Sequence, residues 1–170
     1  MNNVLIRNII RFVVLVLLQV GVLNQVQLGG FINPYLYILF VIMLPFGTPG
    51  WLTLVLSFAL GLSVDMFCNS PGIHTSATVF AGFLRPYMLD SLMPRETVEP
   101  TDTPNIRIFG AGWFVKYSLT VVLVHHVFLF VVEAFKFSSL HLILWRALLS
   151  IVFTMLLIIL SQFLFTRSNK

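Results

Sequence analysis

The chain has 170 residues, 58% of them hydrophobic and only 9% charged, with a formal net charge of +4. A soluble domain carries roughly 25% charged residues because its surface must meet water, so this composition excludes an ordinary water-covered fold and points to lipid as the main solvent. The Lys and Arg residues are scattered, which excludes a nucleic-acid footprint, and at about 20 residues per crossing the length caps the bundle near six spans with no room for a catalytic domain.

Arg7 and Arg11 precede a long apolar run without a small-x-small cleavage pattern, which reads as a retained signal anchor opening the first helix, about Asn8 to Val26. No charged residue occurs from Phe12 to Val64. That stretch is too long for one helix, so its breakers must divide it: Gly29-Gly30 and Asn33-Pro34 first, then Pro45, Gly47, Pro49 and Gly50. A second helix is expected over about Pro34 to Phe46, short for a crossing at roughly 20 Å. The third is expected over about Trp51 to Phe67 and carries Asp65 near its end. Asn69-Ser70-Pro71-Gly72 makes a tight turn into the fourth, about Ile73 to Leu89, with Arg85-Pro86 at its exit. Pro94, Pro100, Pro104 and three of the six acids mark a polar loop at about 91–109. The fifth helix is expected over about Gly112 to Glu133 and the sixth over about Leu140 to Phe165.

The expected architecture is therefore all-α: a single polytopic transmembrane helical bundle over residues 1–170 with about six spans. Cytoplasmic loops hold excess Lys and Arg. Arg7 and Arg11 put the N-terminus inside. Six crossings then put Arg85, Arg95, Arg107 and Lys116, and the tail with Arg167 and Lys170, on the same side. Lys136 and Arg146 fall outside. If the second helix failed to cross, the basic loop would lie opposite the N-terminus, against this asymmetry.

Asp65 is the one acid in a strongly apolar context, and a carboxylate in a span costs roughly 2.5–3.5 kcal/mol on insertion scales, so it needs a partner or a purpose. Ser57, Gly61 and Asp65 share one face at i, i+4 and i+8, and Thr75, Thr78 and Gly82 form a comparable stripe on the next helix. The short turn makes these helices antiparallel, so the Asp65 end of one meets the Pro71-Gly72-Ile73-His74 start of the other, where free N–H groups and the positive dipole end favour an anion. Three roles stay open for Asp65: a structural cap, a partner contact, or ion or proton transport.

His125 and His126 are adjacent and diverge by about 100°, so they cannot serve one metal from one face. They read as neutral or interfacial side chains, His74 and His141 are distant in sequence, and no metal site or cofactor is expected. Glu133 is expected to pair with Lys136 or Arg146 near a helix end. Trp51, Trp113, Trp145, Tyr35, Tyr37 and Tyr87 are expected as interfacial anchors. Cys68 is the only cysteine, so no intrachain disulfide forms, and a small core residue is the expected role. No nucleophile elbow, phosphate-binding loop, dinucleotide fingerprint or catalytic acid pair is present, and the chain is not expected to be an enzyme.

The segment from Gly61-Leu62-Ser63-Val64-Asp65 through Asn69-Ser70-Pro71-Gly72-Ile73-His74 resembles the signature of MreD, the bacterial rod shape-determining membrane protein family. There a Gly-Leu-x-x-Asp segment ends one helix and a Pro- and Gly-containing turn opens the next. Family members often carry a residue between the turn's Pro and Gly; here Pro71 and Gly72 adjoin, making a tighter turn. The layout agrees along the whole chain, while the specific residues lie in this segment. The resemblance implies a bacterial inner-membrane, multi-pass, non-catalytic member of the cell-elongation complex, with both termini cytoplasmic. It implies partnership with MreC, with RodA and its class B penicillin-binding protein, and with MreB, directly or indirectly. Gly61, Asp65, Pro71, Gly72 and His74 are then the candidate helix-turn-helix motif and partner contact. The family is also similar to the substrate-binding subunits of energy-coupling-factor vitamin transporters, which keeps a second reading: a small-molecule-binding membrane subunit of a transporter.

Overall fold

A computed structural model describes the backbone of residues 2–25, 33–92, 97–134 and 140–165. The Gly29-Gly30 break, Pro94, Arg95, Lys136, Arg167, Lys170 and the side chain of His141 lie outside the described residues. Among the described residues every regular element is helical: α1 (Asn2–Leu18), α2 (Leu39–Ile42), α3 (Gly50–Cys68), α4 (Ile73–Ser91), α5 (Ile106–Ala134) and α6 (Leu140–Phe165). Among the described residues four stretches are long and apolar enough to cross a membrane: Val4–Leu23, Gly50–Cys68, Ile106–Glu133 and Leu144–Leu164. The expectation of about six spans exceeds this number by α4, whose Arg85 and Asp90 lower its hydropathy, and by the segment around α2.

The helix starts and stops follow local chemistry. α1 continues into a π-helical turn over Gln19–Leu23, where the Asn24 N–H reaches back to the Gln19 carbonyl at 2.8 Å. Pro49 precedes the first turn of α3, where its missing N–H costs nothing. Asn69 (φ 55°) stops α3 in the left-handed region, and Gly72 (φ 85°) turns the chain into α4. α4 carries Pro86 within it and ends at Ser91, two residues beyond the expected Leu89. α5 begins at Ile106, earlier than the expected Gly112, and breaks at Gly110 (φ 78°, ψ 155°).

Consecutive helices α3 to α6 pack antiparallel, α3 on α4, α4 on α5 and α5 on α6. Glu133 and Arg146 join the α5–α6 corner by an ion pair at 3.6 Å. The α3–α4 contact is close because Gly61 lacks a side chain: a Cβ there would lie 2.5 Å from the Thr75 Cα and 2.9 Å from the His74 carbonyl oxygen. Gly82 likewise receives the Ser57 hydroxyl. Gly61→Ala must push two backbones apart, and a destabilisation of roughly 1–3 kcal/mol is expected by denaturant titration in mild detergent. Gly21→Ala, with nothing within 4 Å of its added Cβ, is the matched control and is expected to lose nothing.

The expected second helix is the main departure. It is helical only over a 3₁₀ turn, Leu36–Ile38, and the single α turn of α2. Instead of facing lipid, every residue from Tyr35 to Leu44 is buried in protein. The segment runs antiparallel to α1, from Gln19 at Pro34 to Arg11 at Met43. It runs parallel to α6, from Ser150 at Asn33 to Gln162 at Met43. Irregular backbone away from water must find other partners for its N–H and C=O groups. Here side chains of the surrounding helices supply them. Gln19 donates to the Pro34 carbonyl and accepts from the Tyr37 N–H, and the Thr154 hydroxyl accepts from the Tyr35 N–H. At the far end Arg11 donates to the Met43 carbonyl, Tyr117 to that of Ile42, and Arg85 to those of Leu44 and Pro45.

Arg85 is therefore not a loop cation at a helix exit. It is 1% exposed, and its Nε donates to the Tyr117 hydroxyl at 3.0 Å. Nor is the 91–109 region simply a solvated loop. Its described part docks under the central segment, with the Phe46 and Gly47 N–H groups donating to the carbonyls of Asp102 and Pro100 (both 2.9 Å) and residues Thr103 to Ile106 buried. Trp51, Tyr87 and Trp145 are exposed as interfacial anchors would be, but Tyr35 and Tyr37 are interior.

Candidate functional site

Two polar assemblies lie inside the bundle, and they share His74. The first is the α3–α4 corner. Asp65 is 5% exposed and its carboxylate accepts five hydrogen bonds. Oδ1 accepts from the Ser70 hydroxyl and the His74 N–H, both at 3.0 Å. Oδ2 accepts from the Gly72 N–H (3.1 Å), the Thr75 N–H (2.8 Å) and the Thr75 hydroxyl (2.6 Å). The local cap position of α4 is Gly72, which has no side chain to offer, so the preceding helix supplies the capping carboxylate. The close approach at Gly61, one turn back from Asp65, brings the first turn of α4 within reach.

Of the motif residues, Gly61, Asp65, Gly72 and His74 are thus brought together. Pro71 is exposed on the turn and, lacking an N–H, cannot donate to the carboxylate. Cys68 is a free thiol, half-buried rather than in the core as expected, and its sulfur accepts from the Asn24 amide at 2.9 Å.

The second assembly was not legible from sequence separation. Tyr37, wholly buried in the central segment, places its hydroxyl 3.0 Å from His74 Nδ1 and 2.8 Å from His125 Nε2. His125 Nδ1 faces His126 Nδ1 at 3.4 Å. His126 Nδ1 also lies 2.9 Å from the Val122 carbonyl, and its Nε2 is 3.1 Å from the Thr154 hydroxyl. His125 and His126 do diverge around α5, but both point inward, so neither is interfacial.

Donor and acceptor matching orders the protons along this chain. A carbonyl can only accept, so His126 Nδ1 carries hydrogen and its Nε2 accepts from Thr154. His125 Nδ1, facing that N–H, accepts, which leaves hydrogen on His125 Nε2. This N–H donates to the Tyr37 oxygen, and the Tyr37 hydroxyl donates to His74 Nδ1. Every contact is met with neutral imidazoles. Among the described residues no group of three or more His, Cys, Asp or Glu side chains is placed to hold a metal ion.

No protein-family model, curated protein or solved structure matches the chain. The reading of the site therefore stands on its own geometry and on the sequence motif.

Tyr37→Phe removes one oxygen and leaves the His125 Nε2–H without an acceptor and His74 Nδ1 without a donor. A loss of roughly 1–3 kcal/mol is expected in unfolding titrations. A double-mutant cycle with His125→Leu separates the hydrogen bond from packing, and a coupling near zero would refute the proton ordering. The sequence did hold one signal for this assembly. Gln19, Tyr37, His125, His126 and Thr154 are polar groups inside apolar runs, and such groups ordinarily pair with one another.

Proposed function

We propose that the chain is a non-catalytic scaffold or regulator of the cell-elongation complex that builds peptidoglycan, held in the bacterial inner membrane. The observation that carries this reading is the saturation of Asp65. A carboxylate accepting five hydrogen bonds from its own helix corner is committed to fastening that corner and is poorly suited to acid–base work. The motif resembling MreD is the same corner. Extensive apolar faces on α1 and α6, with Leu5, Ile9, Leu17, Leu148, Leu156 and Leu160 exposed, suit lipid and the helices of membrane partners.

The proposed topology has six passes with both termini cytoplasmic. The alternating directions of α1, the central segment, α3, α4, α5 and α6 support it, with the central segment passing inside the bundle. Reporter fusions after Glu99 and after Ser138 are expected to report opposite sides. The proposed partners are MreC, RodA with its class B penicillin-binding protein, and MreB directly or through the others. Mild-detergent pull-down of the full chain is expected to recover MreC, and depletion is expected to cost rod shape. Depleted cells with normal shape and normal wall synthesis would overturn the reading.

One observation favours the second reading, a ligand-binding transporter subunit. A cavity of about 310 Å³ lies over the Asp65 corner, lined by Asn24, Gln25, Asn33, Tyr35, Ser70 and His74 among others. Its polar walls suit a small hydrogen-bonding ligand. Recovery of transporter subunits in place of wall-synthesis proteins, with saturable binding of a vitamin-like compound, would establish it.

A further inference from the structure

We propose that the cleft between α1 and α6 is a binding site for an anionic glycerophospholipid of the surrounding bilayer. The inference rests on the membrane embedding alone and does not depend on the cell-elongation reading. The cleft has a volume of about 820 Å³, within the range of ligand sites, and lies between α1, the central segment, the start of α5 and the end of α6.

Its two ends differ in chemistry. The mouth holds Arg7, Arg11 and Arg107, and the walls below are Leu15, Leu18 and Leu39. Arg7 and Arg11 are four residues apart and share a face of α1. Arg11 is half-buried and already donates to Asn8 and to the Met43 carbonyl, whereas Arg7 and Arg107 are exposed. The one carboxylate in the lining, Asp102, accepts from the Glu99 N–H at 2.9 Å. Among the described residues the sole ion pair is Glu133–Arg146, far from this mouth, so these guanidiniums are not neutralised by protein.

The dimensions select a lipid over a soluble anion. From Arg7 to Leu18 the helix rises roughly 16 Å, which is about one leaflet of a 30 Å hydrocarbon core. A phosphate at the arginines therefore leaves an acyl chain running down the aliphatic wall, where a soluble anion would leave the wall unfilled. Guanidinium forks also suit phosphate oxygens better than a point charge does.

The test uses the full-length protein in nanodiscs and in mild detergent. Native mass spectrometry is expected to find phosphatidylglycerol retained in preference to phosphatidylcholine. Arg7→Gln with Arg107→Gln is expected to reduce that retention roughly 30-fold, about fivefold for each guanidinium at a membrane surface. Val14→Trp, which places an indole against the cleft wall and keeps every arginine, is expected to reduce retention. Lys116→Gln, an exposed cation of α5 outside the cleft lining, is expected to leave it unchanged. Equal retention of the two lipids, an equal loss in Lys116→Gln, retention unaffected by Val14→Trp, or displacement of the lipid by glycerol phosphate would each overturn the proposal. Variants that no longer enter the membrane are replaced by phosphatidylglycerol titration of the wild-type protein, where retention that does not saturate also overturns it.

Discussion

Asp65→Ala is expected to lower stability in mild detergent by roughly 2–4 kcal/mol, more than any other single change at the α3–α4 corner. The substitution deletes the acceptor for two hydroxyls and three backbone N–H groups, and those of His74 and Thr75 are buried where water cannot replace it. Losing the carboxylate's own desolvation cost offsets part of this, which keeps the expected value below the sum of five bonds. Asp65→Asn tests the sign of the charge. Whichever oxygen becomes NH₂, it faces at least one backbone N–H, so the isosteric amide is expected to lose a substantial share of the stability despite its shape. Ser57→Ala on the same face is expected to be near neutral, because the Ser57 hydroxyl has no hydrogen-bond partner among the described residues. Equal unfolding midpoints and equal partner recovery for Asp65→Ala and Ser57→Ala would remove Asp65 from its central place.

The second large effect is expected at Arg85. Arg85→Met keeps much of the volume but strips the donors from the Leu44 and Pro45 carbonyls and from the Tyr117 hydroxyl. A loss of roughly 2–4 kcal/mol is expected, since these acceptors lie in the interior with little access to water. The damage should be local before it is global. Hydrogen exchange is expected to rise first over the central segment and the docked loop around Pro100 to Thr103, while the α3–α4 corner keeps its protection. Arg85→Lys is expected to recover only part of the stability, because one ammonium cannot span the carbonyls and Tyr117 as a planar fork does. If Arg85 were a surface cation facing headgroups, Arg85→Met would shift stability by less than about 0.5 kcal/mol, and that result would refute the buried role.

These two residues mark the limits of sequence reading. Asp65 was legible because everything it needs lies within ten residues: a turn of four residues forces antiparallel packing, and the start of the next helix must expose free N–H groups. Arg85 was misplaced because its partners are about forty residues upstream and thirty downstream. Beside Pro86 and a polar loop it has the look of a helix-exit cation. The same holds for Tyr37, whose contacts with His74 and His125 depend on three separate elements meeting.

By itself the sequence determined the apolar composition that suits lipid, the helical class, the near-complete extents of α3 and α6, and the corner at which Asp65 meets the start of α4. Each of these follows from local quantities: charge density, apolar run length, breakers and near-neighbour spacing. Only the tertiary structure decided that the Tyr35–Leu44 stretch lies inside the bundle as a broken helix, and that Gln19, Arg85, Tyr117 and Thr154 exist to satisfy its backbone. The physical reason is that lipid and a protein interior are equally apolar, so hydropathy cannot tell a segment facing one from a segment buried in the other. The distinction resides in where the backbone hydrogen bonds go, and distant side chains settle that.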